Sequence, residues 1–560
     1  MNVFIKNVFY NKIRGACYQF IHTETKLKKQ AQWLKPTGYK TDIQIYNPIT
    51  KCEVPLILKN KAVLTWYLCG PTVYDSAHIG HAVTYVYSDI IRRILTDHFN
   101  INVVMAMCVT DIDDKIIART KELKQNHKDL TKHYENEFIE DMKMLNVARP
   151  HLYCRVTDYI PQIIQFVKSI LDKGNAYTLK DGSVYFDTHK YGMYGKLSTP
   201  ISDSFHPDKK SALDFCLWKT AKKGEPFWES PWAPGRPGWH IECSTIASTI
   251  FGNSIDFHSG GRDLIFPHHE NEEAQSCCYH EVEQWVNYWV HYGHLSLDCK
   301  KMSKSLKNTI SIREFLEKYT ANQFRILCLL SNYKNELQFS YNIMDNAVAV
   351  LHKIEHFISD CHNYIIGNWD TGNVDESTLF RCLEETKNSI NTALANDFNT
   401  AKAMRSLINL INIVNKMLHD PRSSTNTSST CIPAVAAVLN YTSEILSKFG
   451  ISNHSAVNDY RMDSVVECLI KFRGAVRNKI LEQDVKDKTL LTACDEVRSE
   501  LSTYGIIIKF CLSRIAKLKL VGVSRNIKYK SAKIFNGNLI FLIKKKILVF
   551  TFISLLILDK

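Results

Sequence analysis

The chain has 560 residues, of which 45% are apolar and 23% charged, a globular composition that allows about three or four domains and excludes a disordered or fibrous chain. Its net charge of +13 comes from the ends, because residues 1–40 carry +7, residues 509–560 carry +11, and the body between them carries −5. Overall charge therefore gives no support for nucleic-acid binding, which has to rest on motifs instead.

Cysteine usage and the N-terminal segment indicate the compartment. The 17 cysteines form no C-x-x-C pair, which excludes a zinc ribbon and favours a reducing compartment over a disulfide framework. Residues 1–36 open with Met1–Thr23, a basic stretch without acids that is typical of a mitochondrial presequence; a disordered extension is the alternative. No run of about 18 uncharged apolar residues occurs, so we expect no stable insertion into a membrane.

The first predicted elements form a βαβ unit. Ala62–Cys69 has the length and apolar character of a buried strand, His81–Phe99 has apolar residues at helical spacing, and Ile101–Val109 is again strand-like. This order predicts a parallel sheet with a right-handed crossover. Ligands of such sheets bind at the carboxyl ends of the strands, which is where Cys69 and Thr110 fall.

The rest of the chain divides into three parts. Residues 151–235 break the alternation and end in a segment dense in Trp, Pro and Gly, which predicts an insertion into the sheet domain. The α/β pattern resumes over 236–300, and residues 344–508 have the long helical periodicity of an antiparallel bundle. The predicted fold class is α/β, a parallel sheet domain with an insertion, followed by an all-α bundle.

Two short motifs could bind phosphate. His78-Ile79-Gly80-His81 leads into the predicted helix, whose N-terminus offers free N–H groups and partial positive charge, although two histidines at this spacing are more often structural. Lys301-Met302-Ser303-Lys304-Ser305 lies in a stretch without strong periodicity. Its lysines suit a triphosphate, although such a pentapeptide is more often a solvated loop.

Four residues could form a metal site, and they are Cys69, Cys243, His268 and Glu272. His268 and Glu272 lie four residues apart and would share one face of a helix. Two thiolates, an imidazole and a carboxylate suit tetrahedral Zn²⁺. The alternative is chance, because among 17 cysteines and 21 histidines some spacing always looks like a site.

In this order along the chain, the motifs resemble those of class I aminoacyl-tRNA synthetases, and specifically the cysteinyl-tRNA synthetase family. His78–His81 and Lys301–Ser305 resemble the HIGH and KMSKS signatures of class I. Other segments resemble the cysteine-specific motifs, namely Cys69–Tyr74, Thr110–Lys115, Gly235–Cys243 and Phe266–Glu272. The resemblance extends over residues 38–508, and three short segments are most similar to mitochondrial members: Thr37–Tyr39, Ile43–Asn47 and Ser305–Asn308.

The resemblance implies an enzyme that ligates L-cysteine to tRNA(Cys) with ATP and Mg²⁺, as a monomer in the mitochondrial matrix, with the cytoplasm as the lesser alternative. It also implies one Zn²⁺ per subunit, held by Cys69, Cys243, His268 and Glu272. The implied cysteine contacts are Gly70, Thr110, Trp239 and His268. The implied ATP contacts are His78, His81 and Lys304, with Lys301 as a further catalytic lysine. The family also has a side activity, cysteine persulfide synthesis, for which the residues here give no independent support.

The resemblance further implies a division of the chain. It consists of a Rossmann-type catalytic domain over 37–150 and 236–300 with a connective insertion over 151–235, the KMSKS loop and stem-contact region over 301–343, and a helical anticodon-binding domain over 344–508. Composition adds the two ends, a presequence or disordered extension over 1–36 and an atypical basic and apolar tail over 509–560. Val83, Cys108 and Val109 stand where the family often has Arg, Asn and Ile. The family's usual ending is missing after Ile508, and we expect the tail not to belong to the folded unit.

Two other functions compete with this one. A ligase joining cysteine to an amino sugar shares the catalytic core but lacks the anticodon-binding bundle, which residues 344–508 supply. An inactive synthetase-like RNA-binding protein would have eroded motifs, whereas the motifs here are intact. Within the bundle a basic stretch is more typical of a solvated face than of an anticodon reader; it comprises Lys471, Arg473, Arg477 and Lys479.

Overall fold

The computed structural model describes residues 32–201, 208–297, 300–301, 309–367, 374–419 and 431–451, together with segments of 469–551. The side chains of residues 300–301 and of those beyond 499 are not among the parts it describes. Among the helices of the described part, none is both long enough and apolar enough to cross a bilayer.

The strands of the first 340 residues are given in chain order. They are β1 (Tyr39–Asn47), β2 (Cys52–Leu58), β3 (Leu64–Leu68), β4 (Val103–Val109), β5 (Leu152–Arg155), β6 (Ala176–Thr178), β7 (Val184–Phe186), β8 (Phe215–Thr220), β9 (Gly235–Pro237), β10 (Ile255–Gly261), β11 (Val286–Tyr292), β12 (Leu295–Leu297), β13 (Lys300–Lys301) and β14 (Leu337–Phe339).

The helices are numbered in the same way. They are α1 (Ile79–Arg93), α2 (Asp114–Leu123), α3 (His127–Met144), α4 (Ile160–Asp172), α5 (Thr188–Tyr191), α6 (Trp239–Phe251), α7 (Glu270–His280), α8 (Ile312–Lys318), α9 (Ala321–Leu329), α10 (Tyr341–Ile365), α11 (Glu376–Ala395), α12 (Thr400–His419), α13 (Ile432–Lys448) and α14 (Lys488–Thr503). Short turns of 3₁₀ or π helix lie at Ile94–His98, Val156–Tyr159, Arg262–Leu264 and Ile265–His269.

A five-stranded parallel sheet forms the centre of the first half, in the order β11-β10-β3-β4-β5. Side chains alternate between its faces, because successive residues of a strand point to opposite sides. Trp66 and Leu68 of β3 join the core that includes α1, whereas Tyr67 joins the core that includes α4 and α6. With both faces covered, the near-continuous apolar strands match the predicted buried parallel sheet.

The segment between the two halves of the sheet forms a small antiparallel sheet in the order β6-β7-β8-β9. Trp218 of β8 is fully buried, and its Nε1 donates to the carbonyl of Ala233 at 3.1 Å. The last strand, β9, leads within two residues into α6, so this sheet is joined directly to a helix of the candidate site.

Helices α10 to α13 pack against one another, and each contributes leucine or valine to a common buried core, as Leu351, Leu383, Leu407 and Val438 show. Asp375 begins α11 because its carboxylate accepts hydrogen bonds from the N–H groups of Ser377 and Thr378. The all-α fold class predicted for this half is confirmed by these helices.

One basic residue of the C-terminal part differs from the sequence-based expectation. Arg473 is only 4% exposed, and its Nε donates to the carbonyl of Cys494 in α14 at 2.6 Å, so the solvated-face prediction is wrong at this position. Beyond α14 the described residues form strands: Ile506–Ile508 pairs with Leu518–Leu520, and a three-stranded meander follows over Ala532–Phe535, Asn538–Ile543 and Lys546–Thr551. The expectation that residues 509–560 do not belong to the folded unit stays a prediction.

Candidate active site and metal centre

The four residues predicted as metal ligands meet at the carboxyl end of the central sheet. Cys69 directly follows β3, Cys243 lies in the second turn of α6, and His268 and Glu272 flank the start of α7. Their donor atoms all lie within 4.8 Å of one another, and all four residues are buried. Residues about 170 to 200 positions apart are therefore brought to one point by the strand and helix ends.

The distances within this cluster leave no bulky group between the donor atoms. The Sγ atoms of Cys69 and Cys243 lie 3.9 Å apart, and Cys69 Sγ lies 3.8 Å from Glu272 Oε1. His268 Nε2 lies 3.0 Å from the same carboxylate oxygen of Glu272. Donor atoms at such separations can all contact one ion of the size of Zn²⁺.

Burial gives this cluster unusual protonation. Burial raises the pKa of the Cys69 thiol to about 12, because a thiolate without a cation is poorly solvated there. Burial also acts to raise the pKa of Glu272, but His258 and His268 outweigh it and lower that pKa to about 2. The pocket thus holds an ionised carboxylate beside two thiols that a bound cation would deprotonate.

Gly70 and Thr110 lie beside the cluster. A Cβ atom on Gly70 would lie 1.6 Å from the carbonyl oxygen of Cys108, so no larger residue fits between β3 and β4 at this point. Thr110 follows β4, and its hydroxyl donates to Glu242 Oε2 at 3.4 Å.

Trp239 forms the accessible side of the cluster. Its ring stacks on that of His268, with the centroids 4.3 Å apart and an angle of 27° between the planes. Trp239 is 40% exposed, whereas His268 behind it is buried. A small molecule reaching the cluster from this side would therefore contact the indole ring first.

The two histidines of the first motif begin α1. His78 caps the helix, its backbone N–H donates to Nδ1 of His81 at 3.4 Å, and the two rings stack 3.6 Å apart. The backbone of His78 also pairs with Ser311, and Ile79 N–H donates to the carbonyl of Ile310 at 3.0 Å. The chain that follows the second motif is thereby held against the N-terminus of α1.

Of the second motif, Lys301–Ser305, only the first residue is among those that the structure describes. Lys301 lies in β13, which pairs antiparallel with β12 at Ser296. Lys304 and the rest of residues 302–308 lie outside the described residues. On the far side of these residues, Ile310 accepts a hydrogen bond from the backbone of Ile79 at the start of α1.

Comparison with known proteins identifies the family. The sequence model described as tRNA synthetases class I (C) catalytic domain matches residues 56–349, more than half of the chain, and that of the DALR domain matches residues 389–449. A probable mitochondrial cysteine–tRNA ligase of Xenopus tropicalis is 43% identical over 85% of this chain and 89% of its own length. The chain belongs to the cysteine–tRNA ligase family. The resemblance inferred from the motifs is confirmed.

Other members of the cysteine–tRNA ligase family match over a similar extent. The cytoplasmic enzyme of Dictyostelium discoideum is 38% identical over 84% of this chain and 76% of its own, and that of Thermococcus onnurineus is 38% identical over 83% and 96%. Among solved structures, methionyl-tRNA synthetase of Mycobacterium tuberculosis bound by methionyl-adenylate has a TM-score of 0.54 and 13% identity, over 69% of this chain and 91% of that one. That likeness shows a shared fold.

Several histidines that surround the cluster in this cysteine–tRNA ligase family member were not predicted from the sequence. His258 Nε2 lies 2.8 Å from Glu272 Oε2, and His269, whose Nε2 lies 3.5 Å from Cys69 Sγ, contacts His291 at 2.9 Å. A second possible ligand set results, made of Cys69, His258, His269 and Glu272. Position offered a signal, since His258 lies in a strand beside β3 and His269 directly follows His268.

Proposed function

We propose that this protein is a cysteine–tRNA ligase that activates L-cysteine with ATP·Mg²⁺ and transfers it to tRNA(Cys), with Zn²⁺ selecting the thiol of the amino acid. The observation that carries the proposal is the convergence of two thiols, an imidazole and a carboxylate within 4.8 Å, in a family whose members are cysteine–tRNA ligases. The helix start at His78 lies at the same end of the sheet, as expected for a phosphate-binding partner of that site.

The donor set fits zinc. Thiol, imidazole and carboxylate are the ligands that Zn²⁺ takes in proteins, and all four candidates are buried, so a cation would offset the cost of burying the Glu272 charge. We assign Cys69, Cys243, His268 and Glu272 as ligands because this set holds both thiols and lies behind the accessible Trp239. The bound ion would supply an affinity for thiolate over hydroxyl that an apolar pocket lacks.

His258 and His269 would act from outside this ligand set. His258 Nε2 lies 2.8 Å from Oε2 of Glu272, and His268 Nε2 lies 3.0 Å from Oε1. Each carboxylate oxygen of Glu272 is therefore contacted by one imidazole. Histidine and carboxylate partners of this kind fix the orientation of metal ligands. Glu272 is the ligand with competing partners, and we expect it to be the most weakly held of the four.

Gly70, Thr110, Trp239 and His268 would contact the cysteine substrate. The absence of a Cβ at position 70 keeps the peptide next to Cys69 close to β4, and the Trp239 ring would cover the amino acid on the accessible side. Holding the substrate in this way positions its carboxylate for attack.

On the ATP side, His78 and His81 would donate hydrogen bonds to phosphate oxygens at the start of α1, and Lys301 and Lys304 would bind the departing pyrophosphate. The cysteine carboxylate attacks the α-phosphate, which releases pyrophosphate and gives cysteinyl-adenylate. The terminal ribose hydroxyl of tRNA then attacks the acyl carbon and releases AMP. Neither step needs a protein nucleophile, so these residues contribute positioning and charge stabilisation.

We also propose a subcellular location, the mitochondrial matrix. Among relatives, one mitochondrial and one cytoplasmic enzyme match over comparable lengths. The basic, acid-free Met1–Thr23 favours import into the mitochondrial matrix. We expect residues 1–36 fused to a fluorescent protein to direct it to mitochondria; a diffuse cytoplasmic signal would contradict this. A monomer is expected in solution, to be checked by light scattering.

The competing amino-sugar ligase is disfavoured by the DALR match at residues 389–449 and by the helices around it. That class of enzyme lacks an anticodon-binding bundle. An inactive RNA-binding protein is disfavoured by the retention of all four candidate ligands in one buried cluster.

One assay tests the proposed function. The purified enzyme should charge tRNA(Cys) with cysteine and reject serine by more than the roughly 10–200-fold available to an apolar pocket. A chelator should abolish charging, and added Zn²⁺ should restore it. Equal charging by the chelated enzyme, or ready acceptance of serine, would overturn the proposal.

A further inference from the structure

A buried ionic junction lies near the far end of α1 from His78. Asp89 Oδ2 lies 2.8 Å from Nε of Arg93 and 2.8 Å from NH1 of Arg325, and the side chains of Asp89 and Arg325 are each only 1% exposed. The N–H of Ala148 donates to the other oxygen, Asp89 Oδ1, at 2.9 Å. We call these residues, together with Asn146 and Gly450, the Asp89 junction.

The Asp89 junction connects four parts of the chain. Arg325 of α9 donates to the carbonyl of Asn146, after α3, at 2.8 Å, and to that of Phe449, after α13, at 3.3 Å. Asn146 Nδ2 in turn donates to the carbonyl of Gly450 at 2.7 Å. Since the DALR match ends at residue 449, one arginine bonds the end of that domain to α1 and to the turn after α3.

A side chain at position 450 would collide with both guanidinium groups of the Asp89 junction. Gly450 has φ +74°, and a Cβ added to it would lie 2.8 Å from NH1 of Arg325 and 2.9 Å from Nε of Arg93. Both guanidinium groups thus pack directly on the backbone that follows α13 of the helical domain. A buried ion pair of this kind adds little net stability, because its desolvation cost offsets the attraction, and its best-supported use is to fix one geometry.

The two chemical steps place different demands on this geometry. Adenylate formation takes place among small substrates at the N-terminus of α1. Transfer requires one tRNA to reach that site while it is bound to the helical domain, so the distance between the two parts of the protein has to be correct. Asp89 lies eleven residues from His78 on a continuous helix, about 16 Å at 1.5 Å per residue, so α1 transmits its own position rigidly.

We propose that Asp89, Arg93, Arg325 and Gly450 are positioning residues for the transfer step, which hold the helical domain in register with the histidines of α1. This inference rests on the proposed function, since it assumes that the helical domain binds tRNA. An error of about 1 Å in such a placement can cost on the order of 100-fold in rate.

Gly450→Ala tests the proposal, with Gly367→Ala as the matched control. Each glycine is the second residue after its helix, with φ +74° and +73°, but a Cβ at Gly367 meets no atom within 4 Å. The two substitutions therefore share the backbone strain, and only Gly450→Ala displaces the guanidinium groups. Cysteine-dependent ATP–pyrophosphate exchange reports the first step, and single-turnover transfer from preformed cysteinyl-adenylate to tRNA(Cys) reports the second.

We expect Gly450→Ala to slow transfer by about 10-fold or more while exchange stays within about twofold of the wild type, and Gly367→Ala to change neither. Equal loss in both reactions, or normal transfer in a folded variant, would overturn the inference. If Gly450→Ala does not fold, Arg325→Lys, which keeps the charge but loses the planar fork, has to show the same split between the steps. A wild-type enzyme that fails to charge tRNA would instead overturn the proposed function, and this inference with it.

Discussion

Gly70→Ala perturbs the site at the point where β3 meets β4. The new Cβ would lie 1.6 Å from the Cys108 carbonyl oxygen, 2.8 Å from its carbon and 3.1 Å from Cγ of Met107, whereas Cβ atoms essentially never approach other atoms within 3.0 Å. The two strand ends would have to separate by about 1.4 Å to restore an allowed contact. Gly70 does not have a left-handed backbone, so alanine brings no strain of its own, and the effect is purely steric.

This separation would move Cys69, the preceding residue, relative to Thr110, two residues beyond Cys108. An error of about 1 Å in a reacting geometry costs on the order of 100-fold, so we expect cysteine-dependent ATP–pyrophosphate exchange to fall by at least that factor in Gly70→Ala. Zinc per polypeptide, measured by elemental mass spectrometry, should fall as well. Gly252→Ala at the end of the helix that carries Cys243 is the control: with φ +77° it adds backbone strain, but its Cβ meets no atom within 4 Å, so it should keep zinc and exchange. Exchange within threefold of the wild type, with full zinc content, would refute the reasoning.

Three further predictions concern single side chains. Cys243→Ser should lose both zinc and cysteine activation, whereas Cys154→Ser, buried in β5 and in neither candidate ligand set, should keep both; a zinc-replete Cys243→Ser would contradict the ligand assignment. Lys304→Ala should lower the exchange rate by about 100-fold or more, the scale of losing one charge-stabilising donor, with the exposed Lys318→Ala as control; an unchanged rate in Lys304→Ala would discredit its role. Burial, with Lys173 nearby, lowers the pKa of His280 from 6.5 to about 4, so the unfolded chain binds a proton that the folded protein does not. The associated stability is complete above pH 6.5 and is lost as the pH falls toward 4. The Tm of His280→Gln should therefore fall less than that of the wild type between pH 7 and pH 5, and equal falls would argue against this origin.

Much of the local structure followed from the residues themselves. The strand predicted at Ala62–Cys69 is observed at Leu64–Leu68, and the one predicted at Ile101–Val109 at Val103–Val109, because continuous apolar runs bounded by turns are characteristic of buried strands. The parallel sheet and the helical second half were predictable for the same reason. Basic residues were harder to interpret, as Arg473 shows: a positive charge in sequence does not reveal whether a carbonyl such as that of Cys494 lies within reach.

The sequence alone was enough to predict which chemical groups lie at the ends of strands and helices. The family and the candidate metal ligands followed from those groups. That these ligands hold zinc stays a prediction. Only the tertiary structure showed which groups meet. It brings His258 and His269 close to Cys69 as a second possible ligand set, Ile310 into contact with the start of α1, and Asp89 into an ion pair with Arg325. The physical reason is that spacing along the chain fixes neighbours only within one helix or strand, whereas contacts between residues hundreds of positions apart depend on how these elements pack.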